Sequence, residues 1–185
     1  MSSTPIRRPA AGQVRVDIAA TGTMVAASIV DVGSPADGFV RGDRVAYPLS
    51  LGLDAVVSVD TLVGVPRNVT DRQAADLLAP GLLARALITQ VRPFARGQRV
   101  AVPLRNSTLR QVVSAWVASL GGVVVEDVIE ADVIYDDDAR RVAAVEASHR
   151  QGRLQQAATE VFQAIRAGVF DDVHVGHREA DRVAA

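Results

Sequence analysis

The hydrophobic period of this chain changes at Thr70, and that change constrains the fold more than any other feature of the sequence. Before Thr70 the sequence consists of short β-branched runs separated by turns. Residues 13–20, QVRVDIAA, alternate Val14, Val16 and Ile18 with polar residues, which is typical of a strand with one buried face. Further strand-like runs lie at residues 23–33, 44–49 and 54–66. Many short strands with turns between them predict a small β-barrel or sandwich.

From Thr70 onward the period is helical. Thr70 and Gln73 have the spacing of a capping box, which predicts a helix that begins there. Pro80 is expected to end this helix, because proline lacks the N–H that a helix interior needs. Residues 81–91 then predict a second helix, which ends before Pro93.

A strand, a turn and an amphipathic helix follow one another at residues 98–122. Thr108 and Gln111 have capping-box spacing again, which predicts the start of the helix. The apolar stripe of this helix recurs every three or four residues, at Leu109, Val112, Val113, Trp116, Val117 and Leu120. Gly121 is suited to the position after the last helical turn. The stripe assigns Trp116 to core packing.

The C-terminal part continues to alternate strands and helices. Buried parallel strands are predicted at 122–128 and 131–137, helices at 138–152 and 154–168, and a last strand at 172–176. A barrel followed by βαβα order predicts a mixed α/β fold.

Composition excludes several classes of function. The chain has 185 residues, a formal net charge of -1 and no cysteine. A nearly neutral chain gives no reason to expect a nucleic acid or an anionic membrane as partner. No apolar run approaches the roughly 20 residues that span a bilayer, and no signal peptide is recognised, so we expect a cytoplasmic protein. The lack of cysteine excludes disulfides, thiolate nucleophiles and cysteine-ligated zinc.

Several phrases of the sequence resemble one family in the same order. They are FVRGDRVAYP (39–48), LGLDAVVSVDTLVGVPRNVTDRQAADLLAPGLLARALI (51–88), FARGQRVAV (94–102), WVASLGGVVV (116–125) and HRQGRLQQAATEVFQAIRAG (149–168). The sequence thereby resembles the medium-chain dehydrogenase/reductase superfamily, and within it the zinc-free quinone-oxidoreductase branch. The resemblance covers nearly the whole chain.

The resemblance implies a GroES-like β-barrel followed by a Rossmann domain, with NADPH as cofactor and reduction of quinones or activated alkenes as activity. Residues 1–92 would form a truncated barrel with connecting helices, and residues 93–185 a reduced Rossmann-like half. The C-terminal helix and strand are also able to pack back on the first half. Barrel residues that the family has after Gly22 are missing, and the second half has room for a sheet of about four or five strands.

The glycine-rich turn of the family is absent. Counted back without gaps from Trp116, this turn falls on the loop formed by Asn106, Ser107, Thr108, Leu109 and Arg110. The family's glycines allow the tight turn and let backbone N–H groups reach the pyrophosphate. We therefore expect no cofactor in the usual pose. NADPH held by an altered loop that includes Arg105 is the alternative.

Candidate catalytic residues lie where the resemblance puts the cleft between the two halves. They are Tyr47, Ser50, Asp54 and Asn106, with Tyr135 and Asp43 next. A phenol donates protons near pH 7 only with a lowered pKa or a relay, and no partner is evident.

No metal site is predicted. Asp136, Asp137 and Asp138 follow a strand end, where α/β folds bind ligands, but a solvated loop in which Asp138 caps the next helix is favoured. The histidines His149, His174 and His177 form no recognised ligand motif.

Three functions remain open. The first is a quinone-oxidoreductase-like protein that has lost the usual NADPH site and performs non-redox chemistry (isomerisation, cyclisation or elimination) on a small organic substrate in biosynthesis. The second is an NADPH-dependent quinone or enone reductase with an altered phosphate loop. The third is a non-catalytic scaffold. A homodimer is expected, by sheet extension at residues 171–176, which resemble the family's terminal edge strand.

Overall fold

The N-terminal part of the chain forms an antiparallel sheet that curls into a half-barrel. The computed structural model describes residues 8–34, 38–53, 56–148 and 154–175, with the backbone alone at 145–148. The strands of this sheet are β1 (Gln13–Thr21), β2 (Met24–Val32), β3 (Arg44–Pro48), β4 (Val56–Ser58) and β5 (Val63–Gly64). Their spatial order is β4-β1-β2-β3-β5, and neighbouring strands are antiparallel. The predicted truncated GroES-like barrel is confirmed.

Alternating side chains of β1 fill the half-barrel. Val14 and Val16 are buried, as the alternation predicts. Ile18 lies opposite Ala27 and is 36% exposed, so the predicted alternation of buried side chains does not extend to this position. Register shifts in the β1–β2 pairing, after Arg15 and after Ile18, bend the sheet, since a bulge increases the local twist.

Helix α1 (Asp71–Ala86) begins at the predicted capping box. The Thr70 hydroxyl accepts a hydrogen bond from the Gln73 amide at 3.1 Å, and Gln73 Oε1 accepts one from the Thr70 amide at 3.0 Å. The prediction that Pro80 ends this helix is wrong. Helix α1 continues to Ala86, and a π-helical turn, Leu87–Val91, replaces the predicted second helix.

A tertiary contact compensates for Pro80 inside α1. Proline lacks the N–H that would bond to the carbonyl of Asp76, four residues earlier. The Thr23 hydroxyl, from the turn between β1 and β2, lies 3.3 Å from that carbonyl oxygen and 3.0 Å from the carbonyl oxygen of Ala75. The helix therefore passes through Pro80 without an unsatisfied carbonyl at Asp76.

The segment Asp71–Val91 is long and apolar enough to cross a membrane by length and composition. The segment is not an uninterrupted apolar run, because it contains Asp76 and Arg85, so it does not contradict the expectation from the sequence. Within the fold, 61% of its apolar window is buried, as in the core helix of a soluble protein.

Three parallel strands form the second sheet within the described residues. They are β6 (Arg99–Ala101), β7 (Val123–Val125) and β8 (Val133–Ile134), in the order β7-β6-β8. Helix α2 (Ser107–Ser119) connects β6 to β7, and α3 (Asp137–Ser148) follows β8. This arrangement confirms the reduced Rossmann-like half.

Two predictions about the second sheet are wrong. The sheet has three strands in the described part of the chain instead of four or five, because residues 172–175 lie in a turn and irregular chain and not in a strand. Gly176, the end of that predicted strand, lies outside the described residues. Strand β7 is not buried, since Val123 is 49% exposed and Val124 is 41% exposed.

Helix α4 (Leu154–Arg166) connects the two halves of the sequence. Gln155 Nε2 donates to the carbonyl oxygen of Leu62 at 2.7 Å, and Glu160 accepts two hydrogen bonds from Arg85 of α1, at 2.6 and 2.8 Å. One hydrophobic core contains residues of all four helices and part of the half-barrel. The half-barrel members are Met24, Ala26, Ala46 and Val63. The division into residues 1–92 and 93–185 stays a prediction, with a continuous core across it.

Candidate functional site

An open crevice lies at the carboxyl ends of β6 and β8. Strands β7 and β8 lie on opposite sides of β6, so the strand order reverses at β6. Open parallel sheets bind ligands at such a switch point. The crevice has a volume of about 640 Å³. It is lined by Pro103, Arg105, Asn106, Asp136, Asp137, Asp138, Arg140 and Arg141.

The turn after β6 places Asn106 at the start of α2. Its Oδ1 accepts a hydrogen bond from the Leu109 amide at 2.8 Å, which makes Asn106 the N-cap. The predicted capping box at Thr108 and Gln111 is wrong, because the helix is capped two residues earlier. The Gln111 side chain instead accepts a hydrogen bond from the His174 amide at 2.8 Å.

The turn after β8 places three carboxylates on the other side of the crevice. Asp136 Oδ1 accepts a hydrogen bond from the Ala139 amide at 2.8 Å. Asp136 therefore caps α3, and the prediction that Asp138 does so is wrong, because the helix begins at Asp137. Asp138 is exposed and pairs with Arg141 at 2.8 Å.

Asp137 links the two turns. Its Oδ2 lies 3.4 Å from Arg105 Nε, and its Oδ1 lies 3.5 Å from Arg140 Nε. The Arg105 side chain is 95% exposed, so water screens this pair and it adds little to the stability of the fold. The crevice thus presents a half-buried carboxylate between two guanidinium groups, of which that of Arg105 is almost fully exposed.

The sequence pattern singled out Arg105, Asn106 and the three aspartates but missed the arginines of α3. Arg140 and Arg141 lie three residues after Asp137 and Asp138, and this i, i+3 spacing on a helix is the signal that identifies such pairs. The approach of Arg105 to Asp137 across two turns has no signature in the sequence.

Solved quinone oxidoreductases have a similar structure. A mycobacterial quinone oxidoreductase matches with a TM-score of 0.67 and 17% identity, over 95% of this chain and 85% of that chain. A quinone oxidoreductase of Pseudomonas syringae matches with a TM-score of 0.66 and 16% identity, over 95% of this chain and 86% of that chain. The chain has the quinone oxidoreductase fold.

A third match gives the scale of the difference in length. An Escherichia coli quinone oxidoreductase complexed with NADPH has a TM-score of 0.57 and 18% identity. The match covers 80% of this chain and 51% of that one, so this chain spans about half the length of that enzyme. No protein-family model and no curated protein sequence matches the chain.

The turn before α2 differs from the glycine-rich turn that the resemblance leads us to expect. Ser107, Thr108 and Arg110 carry side chains where the resemblance places glycines. The Leu109 amide, at the helix N-terminus where a pyrophosphate binds, already donates to Asn106. The aspartates of the opposite turn and the arginines Arg105, Arg140 and Arg141 line the same crevice, so its formal charges balance.

Of the predicted catalytic residues, the three that the structure describes lie in different environments. Tyr47 is fully buried in the apolar core of the half-barrel. Ser50 is exposed, on the 3-10 turn Leu49–Leu51 that follows β3. Asn106 belongs to the crevice, and Asp54 lies outside the described residues. Their catalytic roles stay predictions.

Tyr135 and Asp43, the next two candidates for a catalytic role, have structural contacts. The Tyr135 hydroxyl donates to the carbonyl oxygen of Arg92 at 2.6 Å. Burial raises the pKa of Tyr135 to about 12, opposed by the charge of Arg92. This phenol is therefore neutral near pH 7. Asp43 Oδ2 accepts a hydrogen bond from the Val40 amide at 2.8 Å, within a turn.

The remaining candidates also have structural roles. Trp116 packs edge-to-face on Phe170, with ring centroids 5.5 Å apart, so its assignment to the core is confirmed. His174 Nδ1 lies 2.9 Å from the carbonyl oxygen of Asp172. In the part of the chain that the structure describes, no three acidic, histidine or cysteine side chains form a group that could hold a metal. His149 and His177 lie outside that part.

Proposed function

We propose that this protein uses the switch-point crevice for a non-redox isomerisation of a small organic substrate that contains a carbonyl group, with no nicotinamide cofactor. The observation that supports this proposal is the position of Asp137 between Arg105 and Arg140, at the point of the sheet where such folds bind ligands. The quinone oxidoreductase fold supports the substrate class, a ketone or enone.

The proposed reaction moves one proton. Asp137 removes a proton from the carbon between the carbonyl group and an isolated double bond, and the C–H electron pair forms an enolate. Arg105 or Arg140 stabilises the negative oxygen of this enolate, as a guanidinium group aimed at developing charge does. Protonated Asp137 then returns the proton to the far carbon of the former double bond. Substrate and product are isomers, so no oxidant or reductant is consumed.

The test follows the conversion of a β,γ-unsaturated cyclic ketone into its conjugated isomer by ultraviolet absorbance. We expect Asp137→Asn to lower kcat/KM by about 10²–10⁴, since this is the usual effect of losing a general base. Asp31→Asn is the matched control, because Asp31 is also a half-buried, ion-paired aspartate but belongs to the half-barrel. Wild-type activity in Asp137→Asn, or equal losses in both variants, contradicts the proposal.

NADPH-dependent reduction is the second candidate. It is favoured by the similarity to quinone oxidoreductases, one of them complexed with NADPH, and by the open crevice at the switch point. Calorimetric titration with NADPH distinguishes the two candidates, with the Escherichia coli enzyme as positive control. Saturable binding accompanied by reduction of a quinone overturns our proposal in favour of the reductase. A protein that is inactive in both assays favours the non-catalytic alternative.

The cytoplasmic location and the biosynthetic role stay predictions.

A further inference from the structure

Strand β7 presents an open edge. It is the outermost strand of its sheet, and no described strand pairs with its outer side. In a Rossmann sheet another strand covers this edge, whereas here β7 is the outermost described strand on that side of the sheet. An open edge is a template for pairing with another chain.

The backbone of β7 has one residue that points directly outward. The Val123 amide donates to the carbonyl oxygen of Gln98, beside β6. Because hydrogen-bonding directions alternate along a strand, the N–H and C=O of Val124 point away from β6 toward the open edge. Val124 is thus available to form a hydrogen-bonded pair with a residue of a second chain.

Apolar side chains surround this edge. Val123 and Val124 are 49% and 41% exposed, and Ile129, in the turn that follows β7, is 92% exposed. Leu120 and Val128 are also exposed. Exposed apolar residues that cluster in one segment mark an interaction site.

The two ends of β7 carry opposite charges. Glu126 and Asp127 follow the strand and are exposed. Before the strand, the exposed Arg96 covers Gly121, since a Cβ atom at Gly121 would lie 2.8 Å from Arg96 Cγ. The edge is therefore basic at its start, apolar in its centre and acidic at its end.

We propose that a second copy of this chain pairs with β7, antiparallel and centred on Val124. In this arrangement the two Val124 residues exchange both backbone hydrogen bonds. Glu126 of each copy lies opposite Gly122 of the other, and Asp127 lies opposite Gly121. Arg96 of one copy is thereby placed beside Glu126 and Asp127 of the other. The pattern of charges is complementary to itself only in the antiparallel direction.

This interface differs from the expected one at residues 171–176. Residues 172–175 form no strand, whereas β7 is a strand with a free edge. The pairing joins two three-stranded sheets into one of six. A three-residue strand with a few flanking side chains is small by the standard of stable dimers, so the association is concentration-dependent.

Light scattering and sedimentation of the full chain test the proposal, over protein concentrations from about 10 μM to 1 mM, the range in which small interfaces associate. We expect the mass to rise toward twice the 19.5 kDa of the monomer. Glu126→Arg and Arg96→Glu should each raise the midpoint concentration at least about tenfold, because each places like charges across the interface. The double variant Glu126→Arg/Arg96→Glu should return the midpoint concentration toward that of the wild type. In it, opposite charges again face each other across the interface, with their signs exchanged.

Two further variants isolate the edge. Val124→Pro removes the outward N–H, while the hydrogen bonds between β6 and β7 stay, so it should abolish the dimer. Asp17→Arg is the control: it exchanges an acidic for a basic residue, as Glu126→Arg does, but at an exposed position of the half-barrel. It should leave the midpoint concentration of association unchanged. Unchanged Trp116 fluorescence confirms that each variant is folded.

Three results overturn the proposal. The first is a wild-type protein that stays monomeric over the whole range. The second is an equal effect of Glu126→Arg and Asp17→Arg. The third is a double variant that is as weakly associated as the single variants. The mass measurements do not depend on the proposed isomerase activity, so the two proposals fail separately.

Discussion

At the scale of single residues, Tyr135 makes the stability of the fold depend on pH in the alkaline range. Its hydroxyl donates to the carbonyl oxygen of Arg92, and burial raises its pKa to about 12 against the opposing charge of Arg92. A tyrosine in an unfolded chain has a pKa of about 10. The folded protein therefore keeps a proton that the unfolded chain loses. The stability from this group is fully present below pH 10 and is lost as the pH rises from about 10 to about 12.

Tyr135→Phe tests this dependence. We expect the free energy of unfolding of the wild type to fall above pH 10 by up to about 1.4 kcal/mol per pH unit. The variant should be about 1 kcal/mol less stable at pH 8, from loss of the hydrogen bond, but its decline above pH 10 should be shallower. All 20 basic residues are arginines, so no lysine titrates in this window. Urea unfolding at several pH values measures both curves. Tyr47 is present in both proteins, and parallel curves contradict the prediction.

The crevice shows which residue-scale features the sequence predicts. The sequence itself shows that no glycine follows β6 and that three aspartates follow β8. The capping-box spacing favours Thr108 as the cap of α2, whereas the structure has Asn106. Both residue types cap helices well, and the sequence does not show where β6 ends. The contact between Arg105 and Asp137 depends on how two turns are placed by the sheet, which residue patterns do not encode.

At the scale of elements, α1 depends on the turn between β1 and β2. A single proline in a helical pattern predicts a helix end, and the sequence gives no sign that Thr23 bonds to the carbonyl of Asp76. The helix continues because its apolar residues are buried and because this distant hydroxyl supplies the missing partner. The error at Pro80 is thus a case in which tertiary contacts override a local preference.

A double-mutant cycle of Thr23→Val and Pro80→Ala tests this dependence. Thr23→Val should lower the free energy of unfolding by about 1–2 kcal/mol, since its hydroxyl proton is shared between the carbonyl oxygens of Ala75 and Asp76. In the Pro80→Ala background the loss should be smaller by at least about 0.5 kcal/mol, because residue 80 then donates to the Asp76 carbonyl. The control is Thr61→Val, whose hydroxyl donates to Ser58 within the half-barrel and should cost the same in both backgrounds. Additive losses for Thr23→Val and Pro80→Ala refute the coupling.

At the scale of the whole molecule, the order of a barrel and an α/β half was predictable because the apolar period changes from two to 3.6 residues at Thr70, whereas the Rossmann-like assignment of that half depends on the family resemblance. The full extent of the common core was not predictable, although the resemblance allows the C-terminal helix to pack on the first half. Apolar stripes identify the buried face of each helix but not the element that covers it. Helix α4 belongs to the second half in sequence, yet it packs on α1 and donates from Gln155 to the half-barrel at Leu62.

The continuous core predicts that the two halves unfold together. Trp116 fluorescence reports on the Rossmann-like half, and hydrogen exchange of the β2 amides reports on the half-barrel. We expect one urea midpoint from both probes. Glu160→Gln, which weakens the bidentate pair between α4 and Arg85, should lower the stability seen by both probes equally, by about 1–3 kcal/mol. The control Glu130→Gln removes an exposed pair at 3.7 Å and should change neither probe. Because α4 contacts both halves, a loss confined to Trp116 would mean that α4 stabilises only the second half, and that residues 1–92 fold as an independent domain.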